Sequence, residues 1–321
     1  MHHDSYRFTV DDGQPLHVYR WLPASAPRGA LLAVHGISEH AARYDALAQR
    51  LTAAGYAVYA HDQRGHGRTA AEHPELGFVA ARHGWQRLLA DIQALNRHLG
   101  EAHPGLPRVL YGHSMGSLLG QEAAIEHGDS WDALVLQASN HRPDLLPVLG
   151  AAAAQLLAVL FGPRHRSRAL DFLTIGVLRY RLRSRRTYYD WLNRDPAEVD
   201  AYISDSRCGF SPAVSLWRDV YAASRRIADP RRQARLPPQL PVLLLVGAAD
   251  GLSDGGLRVR RLAECYRKQG MQSVALRVYP GARHELHREI NREEVFADLA
   301  AWLDQHCTLA EPSSSVHLTS T

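Results

Sequence analysis

Apolar positions along the chain fall into two patterns. Short continuous runs rich in valine, leucine and alanine are typical of strands buried on both faces of a parallel sheet. Between Trp85 and Leu99 the apolar side chains recur three or four residues apart, which predicts a helix that buries one stripe. The runs predicted to form strands are residues 6–10, 17–21, 30–34, 57–60, 109–111, 133–137, 242–246 and 274–279.

The order of these elements predicts the fold class. The first two runs bracket Asp11-Asp12-Gly13, a turn signal for an antiparallel hairpin. From residue 30 onward, strands alternate with helices, the last of them marked by apolar positions from 295 to 303. This alternation predicts an α/β protein with a doubly wound, mostly parallel sheet.

The alternation stops between about residues 139 and 235 and then resumes. We therefore predict an α/β core formed by residues 1–138 and 236–307, with a helical cap or lid inserted at 139–235. Residues 308–321 are rich in serine and threonine and are predicted to be a flexible tail.

Composition indicates a folded protein, since 45% of the 321 residues are hydrophobic and 22% are charged. The cysteines, Cys208, Cys265 and Cys307, are far apart, which disfavours a zinc ribbon, a redox pair or a disulfide framework. Residues 1–5 lack a basic region followed by an apolar stretch, so we expect no secretion signal. A cytoplasmic location is the expectation.

One short motif indicates a catalytic serine. Gly112-His113-Ser114-Met115-Gly116 follows the run at 109–111 and has the G-x-S-x-G pattern of a nucleophile elbow, in which a sharp strand-to-helix turn exposes the serine. The same pattern also occurs in ordinary turns. The rest of the chain must therefore decide between these two interpretations. Ser114 is predicted to be a nucleophile if a base and an orienting acid follow it in the chain.

Both partners can be placed. Asp250 follows the run at 242–246, and His284 follows the run at 274–279 in a turn-rich loop. Carboxyl ends of parallel strands share one sheet edge, so Ser114, Asp250 and His284 are predicted to meet as nucleophile, orienting acid and base. The rivals His287 and Asp254 rank below them, because His287 falls in the following segment and Asp254 is expected to be exposed.

Acyl transfer also needs donors for the developing oxyanion. The loop His35-Gly36-Ile37-Ser38-Glu39-His40 follows the run at 30–34 and is typical of an oxyanion loop, although a plain strand-to-helix turn has the same signature. We predict that the backbone N–H groups of Met115 and Ile37 form the oxyanion hole.

Together these motifs make the chain resemble the monoacylglycerol lipase and lysophospholipase group of α/β-hydrolases. The matching pieces are residues 35–40, 62–67, 112–116 and 281–285, and the likeness covers about residues 6–140 and 235–307. Between them only Cys208-Gly209-Phe210 has the look of a family feature. Thr69 stands where relatives usually have serine, and Ala249 stands where a second acidic residue is common. Neither difference changes one of the three predicted catalytic residues.

The resemblance implies an α/β-hydrolase fold with an inserted helical cap, and an esterase or lipase that needs no metal and no organic cofactor. It also implies that Ser114, Asp250 and His284 match the catalytic residues. The cluster of His61, Asp62, Arg64 and His66 could suggest a metal site, but the adjacent glycines favour a tight turn fixed by an Asp62–Arg64 ion pair.

The cap carries two further signals. Residues 145–161 are apolar except for Gln155 and, at roughly 25 Å of helix, are too short to cross a bilayer. They predict either a helix buried under the cap or a lid helix resting on a lipid surface. Residues 163–186 hold eight arginines and one acid. This basic stretch is typical of a surface that contacts anionic lipid headgroups, or of a solvated face in an arginine-rich protein. Nucleic-acid binding is disfavoured, because the sequence has no recognisable nucleic-acid-binding module.

We therefore predict a serine carboxylester hydrolase for small-molecule single-chain acyl esters, with peripheral lipid contact through residues 145–186. A peptidase, a thioesterase or an acyltransferase would share the triad and differ in the pocket. A non-catalytic protein that binds an apolar ligand is the alternative from another class.

Overall fold

The computed structural model describes residues 2–70, 76–142, 144–181 and 186–307. The predicted tail, 308–321, lies outside the described residues. Within them the chain forms one sheet of eight strands. The strands are β1 His2–Thr9, β2 Pro15–Leu22, β3 Gly29–Val34, β4 Tyr56–Asp62, β5 Arg108–His113, β6 Ala133–Gln137, β7 Val242–Gly247 and β8 Val274–Tyr279.

The strand order is β1-β2-β4-β3-β5-β6-β7-β8. The hairpin β1–β2 is antiparallel, β2 also pairs antiparallel with β4, and the remaining pairs are parallel. The inner parallel strands, such as β3, β4 and β7, are buried on both faces, which explains their continuous apolar runs, whereas β8 at the edge of the sheet is only partly buried. The predicted mostly parallel sheet is confirmed.

Helices cover both faces of the sheet. The α-helices are α1 Asp45–Ala53, α2 Gly84–Ala102, α3 Met115–His127, α4 Leu146–Phe161, α5 Arg168–Thr174, α6 Pro196–Ser204, α7 Val214–Ile227, α8 Pro230–Gln233, α9 Leu257–Lys268 and α10 Arg292–His306. Short 3₁₀ helices are Ala41–Tyr44, Gly128–Ser130, Gly176–Arg181 and Leu286–Arg288. Two core clusters contain residues of the sheet. The first joins the sheet to α2, α3 and α9, and the second joins it to α1 and α10.

Helices α4 to α8 lie between β6 and β7 in the chain, inside the segment predicted to be the cap. Helix α4 packs on α7 through a cluster that includes Ala154, Val214 and Trp217. Most of its other apolar side chains face solvent, among them Val159 at 71% exposure and Phe161 at 63%. The prediction of a helix buried under the cap is therefore wrong over most of this helix.

The length of α4 agrees with the sequence estimate that it does not cross a bilayer. Among the helices in the described part of the chain, none combines the length and the apolar character that a membrane span requires.

Candidate active site

Ser114 occupies the turn between β5 and α3. Its backbone has φ 53° and ψ −117°, a conformation that non-glycine residues rarely adopt. A Cβ on Gly116 would lie 2.1 Å from the carbonyl oxygen of Val34, and one on Gly112 would lie 2.3 Å from the carbonyl oxygen of Gly116. Only glycine fits at either position, so the strand, the turn and the helix hold Ser114 at the carboxyl edge of the sheet.

His284 and Asp250 form a buried pair beside this turn. The Nδ1–H of His284 donates to Oδ1 of Asp250 over 3.1 Å, and Asp250 also accepts a bond from the backbone N–H of Leu252 at 2.9 Å. Asp250 is fully buried and His284 is 1% exposed. The structure thus brings together the acid and the base predicted from the sequence, and His284 and Ser114 line the same cavity.

Burial and mutual attraction act in opposite directions on this pair. Burial alone would lower the pKa of His284, but the charge of Asp250 and the hydrogen bond to it outweigh burial and raise that pKa above its ordinary value. Burial likewise opposes ionisation of Asp250, and His284 outweighs it, so that the pKa of Asp250 is lowered. Asp250 is therefore expected to be ionised and to hold Nδ1 of His284 by a hydrogen bond. Nε2 of His284 then remains available to accept or donate a proton.

The two rival residues lie elsewhere. His287 is buried on the turn after His284, where its ring stacks on Tyr44 at a centroid distance of 4.4 Å. Its Nδ1 is 2.9 Å from Nε2 of Gln137. Asp254 is exposed, with φ 58°. Their surroundings favour Asp250 and His284 as the acid and the base.

The residues predicted to form the oxyanion hole both border Ser114. Met115 is the first residue of α3, where a backbone N–H has no acceptor within the helix. Ile37 lies in the loop after β3 and lines the cavity that contains Ser114. The cap holds this loop, because Tyr202 donates its hydroxyl to the carbonyl of Ser38 at 2.8 Å and the hydroxyl of Ser38 donates to the carbonyl of Phe210 at 2.8 Å.

Glu39 connects this loop to the other parts of the site. Its Oε1 accepts the backbone N–H of Gly36, the hydroxyl of Tyr44 at 3.1 Å and Nδ1 of His113 at 2.8 Å. Burial opposes the negative charge, but His113 and Arg43 outweigh it and hold the pKa of Glu39 well below its ordinary value. Sequence reasoning gave Glu39 no role. The signal that could have found it is the spacing of Glu39 and Arg43, four residues apart and oppositely charged.

Arg43 extends this network to the histidine loop. Its guanidinium donates to both carboxylate oxygens of Glu285, at 2.9 and 2.7 Å, and Glu285 follows His284 in the chain. A buried ion pair joined by two hydrogen bonds fixes the relative orientation of its two side chains. The network joins the loop at 35–40, the turn of Ser114 and the loop of His284, so that each fixes the position of the others.

The loop at 62–67 differs from its prediction. Arg64 donates to Asp91 at 2.7 Å and to Asp12 at 2.7 Å, and Asp62 instead accepts the backbone N–H groups of Ala41 at 2.8 Å and Arg68 at 2.6 Å. The predicted Asp62–Arg64 ion pair is wrong, because backbone donors already satisfy Asp62 at the end of β4. Burial lowers the pKa of His66 to about 4 and keeps its ring neutral.

Within the described residues, two groups of side chains bring metal-ligating atoms within 4.8 Å of one another: Glu39, His113 and His287, and His40, Asp205 and Cys208. In the first group, Glu39 already accepts three hydrogen bonds. In the second, Nε2 of His40 donates to Asp205 at 2.7 Å, and burial raises the pKa of the Cys208 thiol. In both groups, hydrogen bonds within the protein connect some of the candidate ligand atoms.

In the described structure two cavities border Ser114. One, of about 500 Å³, is lined by Ser114, Ile37 and His284 together with aromatic side chains of the cap. The other, of about 430 Å³, contains Ser114 and Met115 and is lined mainly by aliphatic side chains. They share Ile37, Ile175 and Trp191, and the indole ring of Trp191 packs on the imidazole of His284 at a centroid distance of 5.1 Å.

A doubly wound sheet with a serine at a strand-to-helix turn and a buried Asp–His pair after later strands defines the serine hydrolases of the α/β-hydrolase class. Comparison with known proteins agrees. Residues 25–291 match the family described as serine aminopeptidase, S33. The monoacylglycerol lipase of Mycolicibacterium smegmatis is 31% identical over 293 residues, covering 89% of this chain and 91% of that relative.

Two further comparisons extend this result. The monoglyceride lipase of Mus musculus is 30% identical over 304 residues, covering 93% of this chain and 90% of that relative. A thermostable carboxyl esterase from Bacillus coagulans, solved in complex with glycerol, has a TM-score of 0.87 at 24% identity and covers 96% of this chain and 100% of that chain. The chain belongs to the serine aminopeptidase S33 family, and it is a serine hydrolase with the α/β-hydrolase fold.

Proposed function

We propose that this protein is a carboxylester hydrolase that cleaves single-chain acyl esters of the monoacylglycerol or lysophospholipid type, with Ser114, His284 and Asp250 as its catalytic triad. The observation that carries the proposal is the buried hydrogen bond between His284 and Asp250 beside a serine that is held in a strained turn. The names of the relatives, monoacylglycerol and monoglyceride lipases, support the substrate class.

The reaction follows from the roles of the three side chains. Nε2 of His284 takes the hydroxyl proton as the Oγ of Ser114 attacks the ester carbonyl, and Asp250 stabilises the imidazolium that forms. The backbone N–H groups of Ile37 and Met115 stabilise the oxyanion. The tetrahedral intermediate collapses to an acyl-enzyme, and the alcohol leaves with the proton of His284. Water, activated by the same histidine, then releases the fatty acid.

The cavities divide the substrate between them. The alcohol must leave beside the imidazole that protonates it, and His284 lines the larger cavity. The smaller cavity borders Ser114 and Met115 with aliphatic residues, including Leu118, Leu146 and Leu178. An apolar cavity beside the nucleophile suits a hydrocarbon chain. The acyl chain is therefore assigned to the smaller cavity.

The proposal includes peripheral contact with a lipid surface through residues 145–186. Helix α4 exposes several large apolar side chains, which is typical of a helix that lies at an interface. The exposed large hydrophobic residues of this segment are Leu145, Leu146, Val148, Leu149, Leu156, Val159, Leu160, Phe161, Phe172, Leu173 and Tyr180. Arg164, Arg166 and Arg168 follow α4 in the chain and add positive charge there. The side chains of Arg179, Arg181, Arg183 and Arg185 lie outside the described part of the structure.

The test combines labelling with a substrate panel. A fluorophosphonate probe should label wild type and not Ser114→Ala, because only an activated serine reacts. Wild type should hydrolyse monoacylglycerols and lysophospholipids, and Ser114→Ala should lose at least about a thousandfold in kcat. Thermal unfolding of the variant should match wild type. An unlabelled wild-type protein would indicate a non-catalytic binder. Turnover only of aminoacyl anilides or thioesters would favour a peptidase or a thioesterase.

A further inference from the structure

The larger cavity is bordered by a carboxylate whose hydrogen-bond partners are all neutral. Asp171 lines this cavity from helix α5 and accepts Nε1 of Trp217 at 2.6 Å and the hydroxyl of Ser211. Among the described residues no arginine forms an ion pair with it. Burial outweighs the two hydrogen bonds and raises the pKa of Asp171 above its ordinary value. A cation bound in the cavity would therefore stabilise the charged form of this carboxylate.

The cavity that Asp171 borders has aromatic walls. The rings that line it are those of Phe172, Tyr188, Tyr189, Trp191, Tyr202 and Phe210. Phe172 follows Asp171 in the chain, and Ser211, which donates to Asp171, follows Phe210. The faces of aromatic rings attract cations, and cages of such rings are used to bind quaternary ammonium groups. Aromatic walls beside a carboxylate without a cationic partner are typical of a site for a quaternary ammonium group.

A positive charge lies close to Asp171 on the same helix. Arg168 also lines the cavity, and its side chain forms no ion pair within the part of the chain that the structure describes. Side chains three residues apart on a helix share one face, with roughly 5–6 Å between their Cβ atoms. Arg168 and Asp171 therefore present opposite charges to the cavity at a short separation. A ligand with a negative and a positive group a few bonds apart is complementary to them.

The same cavity also suits a glycerol unit. Oε2 of Glu39 and Nε2 of His113 border it, have no hydrogen-bond partner in the described structure and remain available to a glycerol hydroxyl. A lysophospholipid contains the glycerol unit of a monoacylglycerol, with a phosphodiester in place of one hydroxyl. The two types of substrate can therefore share the contacts beside Ser114 and differ in what extends toward the cap.

We propose that the larger cavity binds the headgroup of lysophosphatidylcholine, with Asp171 and the aromatic rings against the quaternary ammonium group and Arg168 against the phosphate. The proposal rests on the proposed function, in which Ser114 attacks the acyl ester and His284 protonates the leaving alcohol. That alcohol is then glycerophosphocholine: water adds, the acyl–oxygen bond breaks, and the fatty acid is released. The cavity volume of about 500 Å³ is in the range that encloses drug-sized ligands, so this alcohol fits. Monoacylglycerols remain substrates, because they need only the glycerol contacts.

The experiment compares 1-octanoylglycerol with the octanoyl lysophospholipids that carry choline, ethanolamine and glycerol headgroups. All share the acyl chain and the ester bond and are used below their micelle concentrations, so that only the headgroup differs. We expect kcat/KM for the choline lipid to exceed that for the ethanolamine lipid about fivefold or more, because an aromatic cage favours the quaternary group. It should exceed that for the lipid with a glycerol headgroup about tenfold or more, because that headgroup has no cation to pair with Asp171.

Three variants test the assigned contacts. Asp171→Asn keeps an acceptor for Trp217 but removes the charge, so the ratio of choline-lipid to 1-octanoylglycerol turnover should fall about tenfold. Arg168→Gln should lower kcat/KM for all three lysophospholipids about fivefold relative to 1-octanoylglycerol, because it removes the charge that faces the phosphate. Phe172→Leu keeps an apolar side chain without a ring, and should lower the ratio of choline-lipid to ethanolamine-lipid turnover about threefold.

Asp200→Asn and Arg225→Gln are the matched controls. Asp200 lies on α6 and Arg225 on α7, both are exposed, and neither lines a cavity beside Ser114. Both variants should keep every ratio within about twofold of wild type.

Three results would overturn this inference: a choline lipid cleaved no faster than the other two lysophospholipids, an equal loss in Asp171→Asn and Asp200→Asn, or cleavage of 1-octanoylglycerol alone. Failure of the proposed function is distinguishable, because 1-octanoylglycerol would then not be cleaved either and the fluorophosphonate probe would not react.

Discussion

At the scale of single residues, Asp250 sets the protonation of His284. In the proposed mechanism the imidazole must be neutral to accept the proton of Ser114, so activity should fall as the pH falls through the pKa of His284. Asp250 raises that pKa above its ordinary value of 6.5. The acid limb of the profile of kcat/KM against pH should therefore have its midpoint above 6.5. Stopped assays with a buffer series and an alkyl ester measure it, and a midpoint below 6.5 would contradict the assigned pair.

We expect Glu39 to act as a positioning residue, and its substitution should separate an effect on catalysis from an effect on stability. Glu39→Gln keeps an acceptor for the N–H of Gly36 but removes the charge that pairs with His113 and Arg43. The oxyanion loop should loosen, and kcat should fall about a hundredfold with little change in KM. The free energy of unfolding should decrease by about 3 kcal/mol, because buried charges lose their partner.

Glu122→Gln is the matched control for this prediction. Glu122 is also a buried glutamate and accepts bonds from Arg226 and Arg232, but it lies on α3 away from both cavities. Its substitution should cost stability and leave kcat within about twofold of wild type. If both variants lost kcat equally, Glu39 would have a structural role only. Steady-state kinetics and urea unfolding provide the two readouts.

Single residues also show what the sequence could and could not predict. Asp250 and His284 could be placed because each follows a recognisable strand, and the carboxyl ends of parallel strands lie at one edge of the sheet. Glu285 could not be assigned a role, since its contact with Arg43 spans 242 positions of the chain, and the contact of Glu39 with His113 spans 74. Arg64 was paired with its sequence neighbour, whereas its partners Asp12 and Asp91 are distant in the chain.

At the scale of elements, the turn between β5 and α3 tolerates no side chain at Gly116. The Cβ of Gly116→Ala would meet the backbone of β3, which hydrogen bonds on both sides hold in the middle of the sheet. We expect a loss of about 3 kcal/mol or more in the free energy of unfolding. In Gly120→Ala, on the same helix, the Cβ would meet a methyl group of Leu136 at 3.1 Å.

The leucine methyl group can move, and alanine has the higher helix propensity, so Gly120→Ala should change stability by less than about 1 kcal/mol. Urea unfolding followed by circular dichroism compares the two variants. Equal stability of Gly116→Ala and Gly120→Ala would show that the turn is not as tight as the structure has it.

Elements differ in how far the sequence determines them. Buried strands such as β6 and β7 were predicted nearly residue by residue, because continuous apolar runs have few other uses in an α/β chain. Helix α4 was predicted as a helix, but its environment was not. An apolar run is the same in sequence whether it is buried or at a lipid interface, and only its packing on α7 decides which face is left exposed.

At the scale of the whole molecule, the sheet and the segment between β6 and β7 have separate tasks. The sheet presents Ser114, Asp250 and His284 at one edge, where the order of strands leaves no alternative for residues that follow β5, β7 and β8. The segment from 139 to 235 supplies most of the walls of both cavities. The meeting of the three residues at one sheet edge could be predicted from the alternation of strands and helices and from the motifs. The cavities could not be predicted, because side chains from distant elements form them.

The exposed face of α4 leads to a prediction for the whole molecule. Wild type should sediment with vesicles of phosphatidylcholine and phosphatidylglycerol, and binding should weaken as sodium chloride screens the arginines. The double variant Val159→Ser, Phe161→Ser should bind about a hundredfold more weakly, since two side chains of 71% and 63% exposure lose their burial in lipid. The matched control Leu257→Ser, Ile290→Ser removes two apolar side chains, 42% and 64% exposed, from outside this segment and should bind as wild type does. Equal binding by both double variants would place lipid contact elsewhere, and the exposed helix would then serve only to close the acyl cavity.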